Sequence, residues 1–206
     1  DEALYMRETM VMAEALKAGE WFGNYGVGTH GFIFKLPVAI LFMILGYSTY
    51  IPTIFNILIG VAAIYFVYNF ALKWFKKESI ALSTALLTAT GFHFVLGNPT
   101  FLRDIPAMLV LILLFEAVLS KKREWIVGLL FVLLFDAKEH VFFVVALAYG
   151  LWILYSEFKR AKGGMWGVFQ AIVLRAIQAF APSLIFIYLM FATGLVQVNM
   201  YAASVL

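Results

Sequence analysis

The chain alternates long apolar runs with short polar turns. Seven apolar segments follow a polar first stretch; none shows the two-residue alternation of a half-buried strand, and all exceed strand length, so each predicts a helix. The segments are 32–47, 52–74, 80–97, 104–119, 124–135, 140–155 and 170–194. No internal repeat or low-complexity linker interrupts them. The pattern therefore predicts one all-α bundle.

Residues 1–18 have a different pattern, in which apolar and charged side chains are mixed. This mixture predicts an amphipathic helix beside the membrane that is too polar to span it. Gly19 supplies its end, because glycine readily adopts the left-handed conformation that terminates helices. The glycine- and aromatic-rich stretch that follows predicts a loop at the membrane interface.

Composition turns this pattern into a class of protein. The chain is 64% hydrophobic and 13% charged, whereas soluble domains are about 45–50% apolar and about 25% charged. Because ~20 apolar residues of helix span the hydrocarbon of a bilayer, the sequence predicts a polytopic integral membrane protein. The chain has no cysteine, so it has neither disulfides nor thiolate chemistry.

The net charge of +3 is explained by membrane orientation and does not indicate a nucleic-acid partner. Two apolar segments separate each basic cluster from the next, so all three clusters fall on one face, which the positive-inside tendency makes cytoplasmic. The clusters are Lys73/Lys76/Lys77, Lys121/Lys122/Arg123 and Lys159/Arg160/Lys162. The polar turns 97–104 and 135–140 then face the other side.

Segment 124–135 is short for a membrane crossing, at ~18 Å of helix against a hydrocarbon core of ~30 Å. The polar residues that follow it should lie recessed in the outer half of the bilayer, where such groups are functional candidates by default. They are Asp136, Lys138, Glu139 and His140.

Segment 32–47 leaves two topologies open. If it crosses the bilayer, Asp1 and Glu2 lie on the cytoplasmic side. If it lies along the interface or only dips into the membrane, all the polar groups converge on the outer side. The segment is short and contains Lys35 and Pro37, which favours convergence. We therefore expect an extracytoplasmic loop with a juxtamembrane helix over 1–31 and a transmembrane domain over 32–206.

Four groups of polar residues are candidates for a functional site. Cations bind the phosphate of a lipid carrier, and a carboxylate within hydrogen-bond reach of a hydroxyl can act as its general base. Together they describe group transfer from a lipid phosphate. The four groups are Asp1 and Glu2 with Tyr5, His30 with Lys35, Arg103 with Asp104, and Asp136 with Lys138, Glu139 and His140.

Three stretches resemble one family. "DEALYMRE…GEWFGNYGVGTHGFIFKLPVAILF" is similar to the first extracytoplasmic loop of the GT-C glycosyltransferases that use polyprenyl-phosphate sugars, such as the protein O-mannosyltransferases and the lipid A aminoarabinose transferases. "NPTFLRDIPAMLVLILLF" resembles their arginine/aspartate helix start. "GLLFVLLFDAKEHVFFVVALAYGLWIL" resembles their glycine-rich helix, which ends in a lysine near the carrier phosphate.

The resemblance implies a GT-C-like bundle that moves a sugar from a polyprenyl-phosphate carrier to a protein or lipid hydroxyl by an inverting mechanism. Asp1 would be the catalytic base with Glu2 beside it, and Arg103, Asp104 and Lys138 would line the donor cavity. His30 and Lys35 match the family's basic positions more loosely. The further candidates are Tyr5, Asp136, Glu139 and His140.

The chain also departs from the family. It has "THGFIFKLP" where the mannosyltransferases have a His-Pro-Pro run, which puts substrate placement in doubt. The family's first helix and C-terminal part are not in this sequence, so we expect a fragment of a longer chain. We expect it in a bacterial or archaeal cytoplasmic membrane, with its site on the extracytoplasmic side.

Simpler interpretations stay open. Asp1 and Glu2 would serve equally as a helix cap, Arg103 and Asp104 as a local pair, and Lys138 as a side chain extending to the interface. The whole chain would then be a non-catalytic membrane subunit, or a transporter of lipid-linked substrates. Arg175 is predicted only to extend toward the cytoplasmic face.

No cofactor is predicted. The three histidines lack the spacing of a metal-binding motif, and a divalent metal held by groups assembled in space stays an alternative.

Overall fold

The structure, a computed structural model, describes residues 2–19, 31–91, 104–160 and 165–192. Within these ranges the chain forms eight helices and no strand. The helices are α1 (Glu2–Lys17), α2 (Phe32–Leu45), α3 (Tyr50–Phe75), α4 (Glu78–Thr90), α5 (Asp104–Leu119), α6 (Glu124–Ala137), α7 (Glu139–Arg160) and α8 (Met165–Ala192). The predicted all-helical architecture is confirmed, with one helix in each apolar segment.

Helix α6 occupies the centre of the bundle and packs against α2, α5, α7 and α8. Its sequence is apolar on all sides, as expected of a helix surrounded by others. Phe131 and Leu134 of α6 are fully buried, and Leu114 of α5 and Ile153 of α7 belong to the same core. The helix that is short for a membrane crossing is therefore the centre of the bundle.

Helices α6 and α8 approach each other closely at Gly128. A Cβ atom at this position would lie 2.7 Å from Cγ of Pro182 and 2.9 Å from the carbonyl oxygen of Ala179. Both neighbours belong to α8, and glycine is the residue that lets two helices come this close. The α6–α8 interface thus depends on the missing side chain.

Among the described residues, three helices are long and apolar enough to cross a membrane, namely Tyr50–Phe75, Glu139–Arg160 and Met165–Leu189. Only 28%, 17% and 11% of their most apolar windows are buried inside the protein. Their outer faces expose many large apolar side chains, and an exposed apolar surface of this kind marks a membrane or protein contact. The described part of the chain is thus an all-helical bundle with three helices suited to crossing a membrane.

Helices α1 and α2 form a small unit on the first turns of α3. Met12 and Leu16 of α1 are buried against Val38 and Phe42 of α2, and partly buried side chains of α3 complete this core. Gly19 follows α1 with φ +83°. The prediction that a left-handed glycine would end this helix is confirmed.

The basic clusters gather at one end of the bundle, which we call the basic end. Lys73, in the last turn of α3, binds Glu116 and Ser120 near the end of α5. Lys121, Lys122 and Arg160 line a single pocket nearby. These residues lie at one end of the bundle, as a shared face requires. The side of the membrane that this end faces stays a prediction, and Lys162 lies outside the described residues.

Candidate functional site

Asp136 lies in the last turn of α6, at the end of the bundle opposite to the basic end. Its side chain accepts hydrogen bonds from the backbone N–H groups of Phe32 (2.9 Å to Oδ1) and Ile33 (2.9 Å to Oδ2). The residue is only 3% exposed. A buried carboxylate is costly unless hydrogen bonds satisfy it, and here the two N–H groups at the start of α2 do so.

The start of α2 needs this help because its own sequence supplies no cap. The residue before the helix is Gly31, with φ 81° and no side chain to accept a hydrogen bond. The first N–H groups of a helix have no partner within it, and a negative charge near them is favoured by the helix dipole. The N–H of Gly31 also donates to the carbonyl oxygen of Asp136 at 2.7 Å. Asp136 thus fixes the start of α2 on the end of α6.

Lys35 and Glu8 form an ion pair between α2 and α1. The Nζ–Oε2 distance is 2.5 Å, and the two side chains are only 4% and 9% exposed. The ammonium also lies 5.2 Å from the ring centroid of Tyr5, within range of a cation–π interaction. The predicted donor-site role of Lys35 stays a prediction, and the geometry gives it a neutralising partner inside the protein.

Lys138 and Asp104 form the polar contact that sequence reasoning grouped in the donor cavity. The Lys138 ammonium binds Oδ1 of Asp104, joining the α6–α7 turn to the first residue of α5. The Lys138 side chain is 25% exposed and that of Asp104 is 54% exposed. Unlike Lys35, Lys138 can be reached from outside, so it could contact a phosphate without unfolding its surroundings.

Glu139 and His140 lie in the first turn of α7, directly after Lys138. Glu139 is half-buried and His140 is exposed. An acidic side chain in a first turn is favoured by the positive end of the helix dipole, which accounts for Glu139. His140 faces the surroundings on the same end of the bundle as Lys138.

Other predicted site residues cannot be placed. Asp1, His30 and Arg103 lie outside the described residues, and Glu2 begins α1 while its side chain is likewise outside them. The proposed pairing of a carboxylate base with the Lys138 region therefore stays a prediction.

A second contact joins α1 to the turn between α2 and α3. The hydroxyl of Tyr47 donates to the Glu14 carboxylate, and the Lys17 ammonium lies 5.0 Å from the Tyr47 ring. Burial, together with the hydrogen bond and the charge of Glu14, raises the pKa of Tyr47 to about 12. Tyr47 therefore remains a hydrogen-bond donor at neutral pH, and the end of α1 stays beside the start of α3.

Sequence reasoning missed the ion-pair network around Arg175. The guanidinium lies 2.7 Å from Glu124 at the start of α6 and 2.5 Å from Glu157 in the last part of α7. It also donates to the hydroxyl of Ser156 at 3.0 Å, and the Tyr149 hydroxyl donates to Glu124. Arg175 does point toward the basic end, but its two carboxylate partners had gone unpredicted. The sequence did contain a sign of them, because Glu124 and Glu157 lie near the basic end of the two neighbouring segments.

Within the four described ranges, no group of three His, Asp or Glu side chains is arranged to hold a metal ion. Compared with models of protein families, with curated proteins and with solved structures, the chain matches none. The function is therefore proposed from the residues and their geometry.

Proposed function

We propose that the protein is a membrane glycosyltransferase of the GT-C type, which moves a sugar from a polyprenyl-phosphate carrier to a hydroxyl of a protein or lipid acceptor. The observation that supports this most is the partly exposed Lys138–Asp104 pair opposite the basic end. A cation held by a carboxylate at the end of short helices suits a carrier whose phosphate lies at the membrane surface.

The proposed reaction is an inverting transfer. Asp1 takes the proton of the acceptor hydroxyl as the hydroxyl oxygen attacks the anomeric carbon of the sugar. The bond between that carbon and the carrier phosphate breaks, and the polyprenyl phosphate leaves with the electron pair. Lys138 stabilises the charge that develops on the phosphate, while Asp104 positions the ammonium.

The same geometry suggests how α2 contributes. Both ends of α2 lie in the half of the bundle opposite the basic end, because it starts beside Asp136 and leads into α3, whose far end carries Lys73. We infer that α2 lies along the interface without crossing. Helix α1 would then lie on the same side as Lys138.

The test is a transfer assay in membranes containing the protein, with a panel of radiolabelled polyprenyl-phosphate sugars. Asp1→Asn should lower transfer about 10²–10⁴-fold, the usual effect of removing a general base, and leave carrier binding largely intact. Lys138→Ala should weaken transfer and binding, and Lys138→Arg should restore part of both. Lys76→Ala, which removes an exposed lysine at the basic end, is the matched control.

Two outcomes would count against this proposal. Transfer that survives in Asp1→Asn would keep the enzyme and reject Asp1 as its base. Equal effects of Lys138→Ala and Lys76→Ala would remove Lys138 from the donor site.

A non-catalytic membrane subunit is the second candidate, and one observation favours it. Asp136, Lys35 and Lys138 all have partners inside the chain, as expected of charges that orient helices. Absence of transfer from every donor in the panel would favour this function over the enzyme.

A further inference from the structure

An open pocket lies at the basic end, away from the proposed transfer site. It has a volume of about 140 Å³ and is lined by residues of α5, α6, α7 and α8 and of the turn between α5 and α6. Four cationic side chains contribute to its wall, namely Lys121, Lys122, Arg160 and Arg175, together with the carboxylate of Glu124. The proposed function uses none of these residues.

The charges of this pocket are not balanced. Arg175 is compensated by Glu124 and Glu157, which lie 2.7 and 2.5 Å from it. Arg160 shares Glu157 at 3.3 Å and keeps a side chain that is 57% exposed. Lys121 and Lys122 form no ion pair with any residue that the structure describes. Four cationic side chains are thus accompanied by two carboxylates. The remaining positive charge favours the binding of an anionic ligand.

The backbone holds the two lysines at the pocket. The N–H of Lys121 donates to the carbonyl of Val118 and the N–H of Lys122 to that of Ala117, at 3.1 and 2.9 Å. This is the hydrogen-bond pattern that closes a helix end with a left-handed residue, and Lys121 has φ 51°. A lysine occupies a position that favours glycine, so the ammonium is present at a conformational cost.

An apolar groove continues from the pocket. The two cavities share Val118, Tyr149 and Trp152 in their walls. The groove has a volume of about 230 Å³ and runs between α5 and α7, with Phe131 of α6 among its lining residues. Phe115, at 49% exposure, borders it on the outer surface of α5. The groove therefore opens where a spanning bundle faces acyl chains.

We propose that the pocket and the groove together bind one anionic phospholipid. Its phosphate lies against Lys121, Lys122 and Arg160, and one acyl chain follows the groove between α5 and α7. Basic pockets between transmembrane helices are suited to anionic headgroups, and the charge excess selects an anionic lipid over a zwitterionic one. A free phosphate would leave the groove unused, and a peptide would bury backbone N–H and C=O groups against apolar walls.

The experiment counts bound lipids on the purified protein by native mass spectrometry in detergent, with phosphatidylglycerol and phosphatidylcholine as probes. The wild type should bind phosphatidylglycerol more tightly than phosphatidylcholine. Lys121→Gly should weaken phosphatidylglycerol binding about fivefold, from a loss of ~1 kcal/mol per lysine. Inorganic phosphate should compete poorly, because it cannot occupy the groove.

The chain contains a closely matched control. Lys76 also ends a helix in the left-handed conformation, with φ 54°, but it does not line the pocket. Lys76→Gly removes the same charge and the same cost of a left-handed backbone conformation. Because Lys76 lies outside the pocket, this substitution should change phosphatidylglycerol binding less than twofold. Ala148→Phe fills the groove from α7 with an apolar side chain, and should weaken binding without altering any charge.

Three results would overturn the proposal. These are equal binding of the two lipids by the wild type, equal effects of Lys121→Gly and Lys76→Gly, and full competition by inorganic phosphate with undiminished binding in Ala148→Phe. The last would identify a phosphate site without a lipid. Thermal unfolding of each variant, followed by circular dichroism, shows that a loss of binding is not a loss of fold.

Discussion

Asp136 shows how a single side chain can determine where a distant helix begins. It accepts two backbone hydrogen bonds from residues 104 and 103 positions away in the chain. Asp136→Ala leaves those N–H groups unsatisfied in a buried place, so we expect a loss of about 2 kcal/mol in the free energy of unfolding. Asp136→Asn keeps an acceptor and should cost less. Denaturant unfolding in detergent micelles, followed by circular dichroism, measures both losses.

The comparison variant at this scale is Glu78→Gln. Glu78 is an exposed carboxylate in the first turn of α4, so its removal should change the free energy of unfolding by less than about 0.5 kcal/mol. If Asp136→Ala unfolded at the denaturant concentration of the wild type, the two hydrogen bonds would not be what holds α2.

At the scale of helices, the α6–α8 contact depends on Gly128. In Gly128→Ala the new Cβ would meet Pro182 and the Ala179 carbonyl at 2.7 and 2.9 Å, and backbone atoms cannot move aside as a flexible side chain can. Pro182 also lacks an N–H group, so α8 already has one backbone hydrogen bond fewer at this point. We expect a loss of about 1–3 kcal/mol from overpacking, measured by the same unfolding assay.

Gly150 provides the matched substitution for that prediction. It lies inside α7 and an added Cβ would meet nothing within 4 Å. Gly150→Ala should therefore be neutral or stabilise the protein by up to about 1 kcal/mol, because alanine favours the helix. A stable Gly128→Ala variant, with α8 still packed on α6, would contradict the close approach.

For the whole molecule, the sequence predicted the helices well because the apolar runs record them directly. Helix α5 has the predicted bounds of 104 and 119, and α6 begins at the predicted Glu124. The positions of the charges also predicted the shared basic end. An even number of helices between two basic clusters returns the chain to the same end, and that number can be counted in the sequence. The helix bounds depend on neighbouring residues, and the shared end depends only on a count of helices. Both can therefore be predicted from a single sequence.

The pairing of buried charges could not be predicted in this way. Whether Lys35 meets Glu8 or a substrate, and whether Arg175 meets Glu124 or water, depends on how each helix is rotated about its axis. That rotation follows from packing between helices that are distant in the sequence. The role of Asp136 as the cap of α2 was hidden for the same reason.

The arrangement of the whole bundle makes a prediction about membrane topology. Because the chain has no cysteine, single cysteines can be labelled one at a time with a membrane-impermeant maleimide in right-side-out and inside-out vesicles. Ala18→Cys, Ser48→Cys and His140→Cys should react from the extracytoplasmic side, because α1 and α2 stay with the start of α3. Lys122→Cys, at the basic end, should react only from the cytoplasmic side. Reaction of Ala18→Cys from the cytoplasmic side would mean that α2 crosses the bilayer, and would separate Asp1 from Lys138 and the proposed donor site.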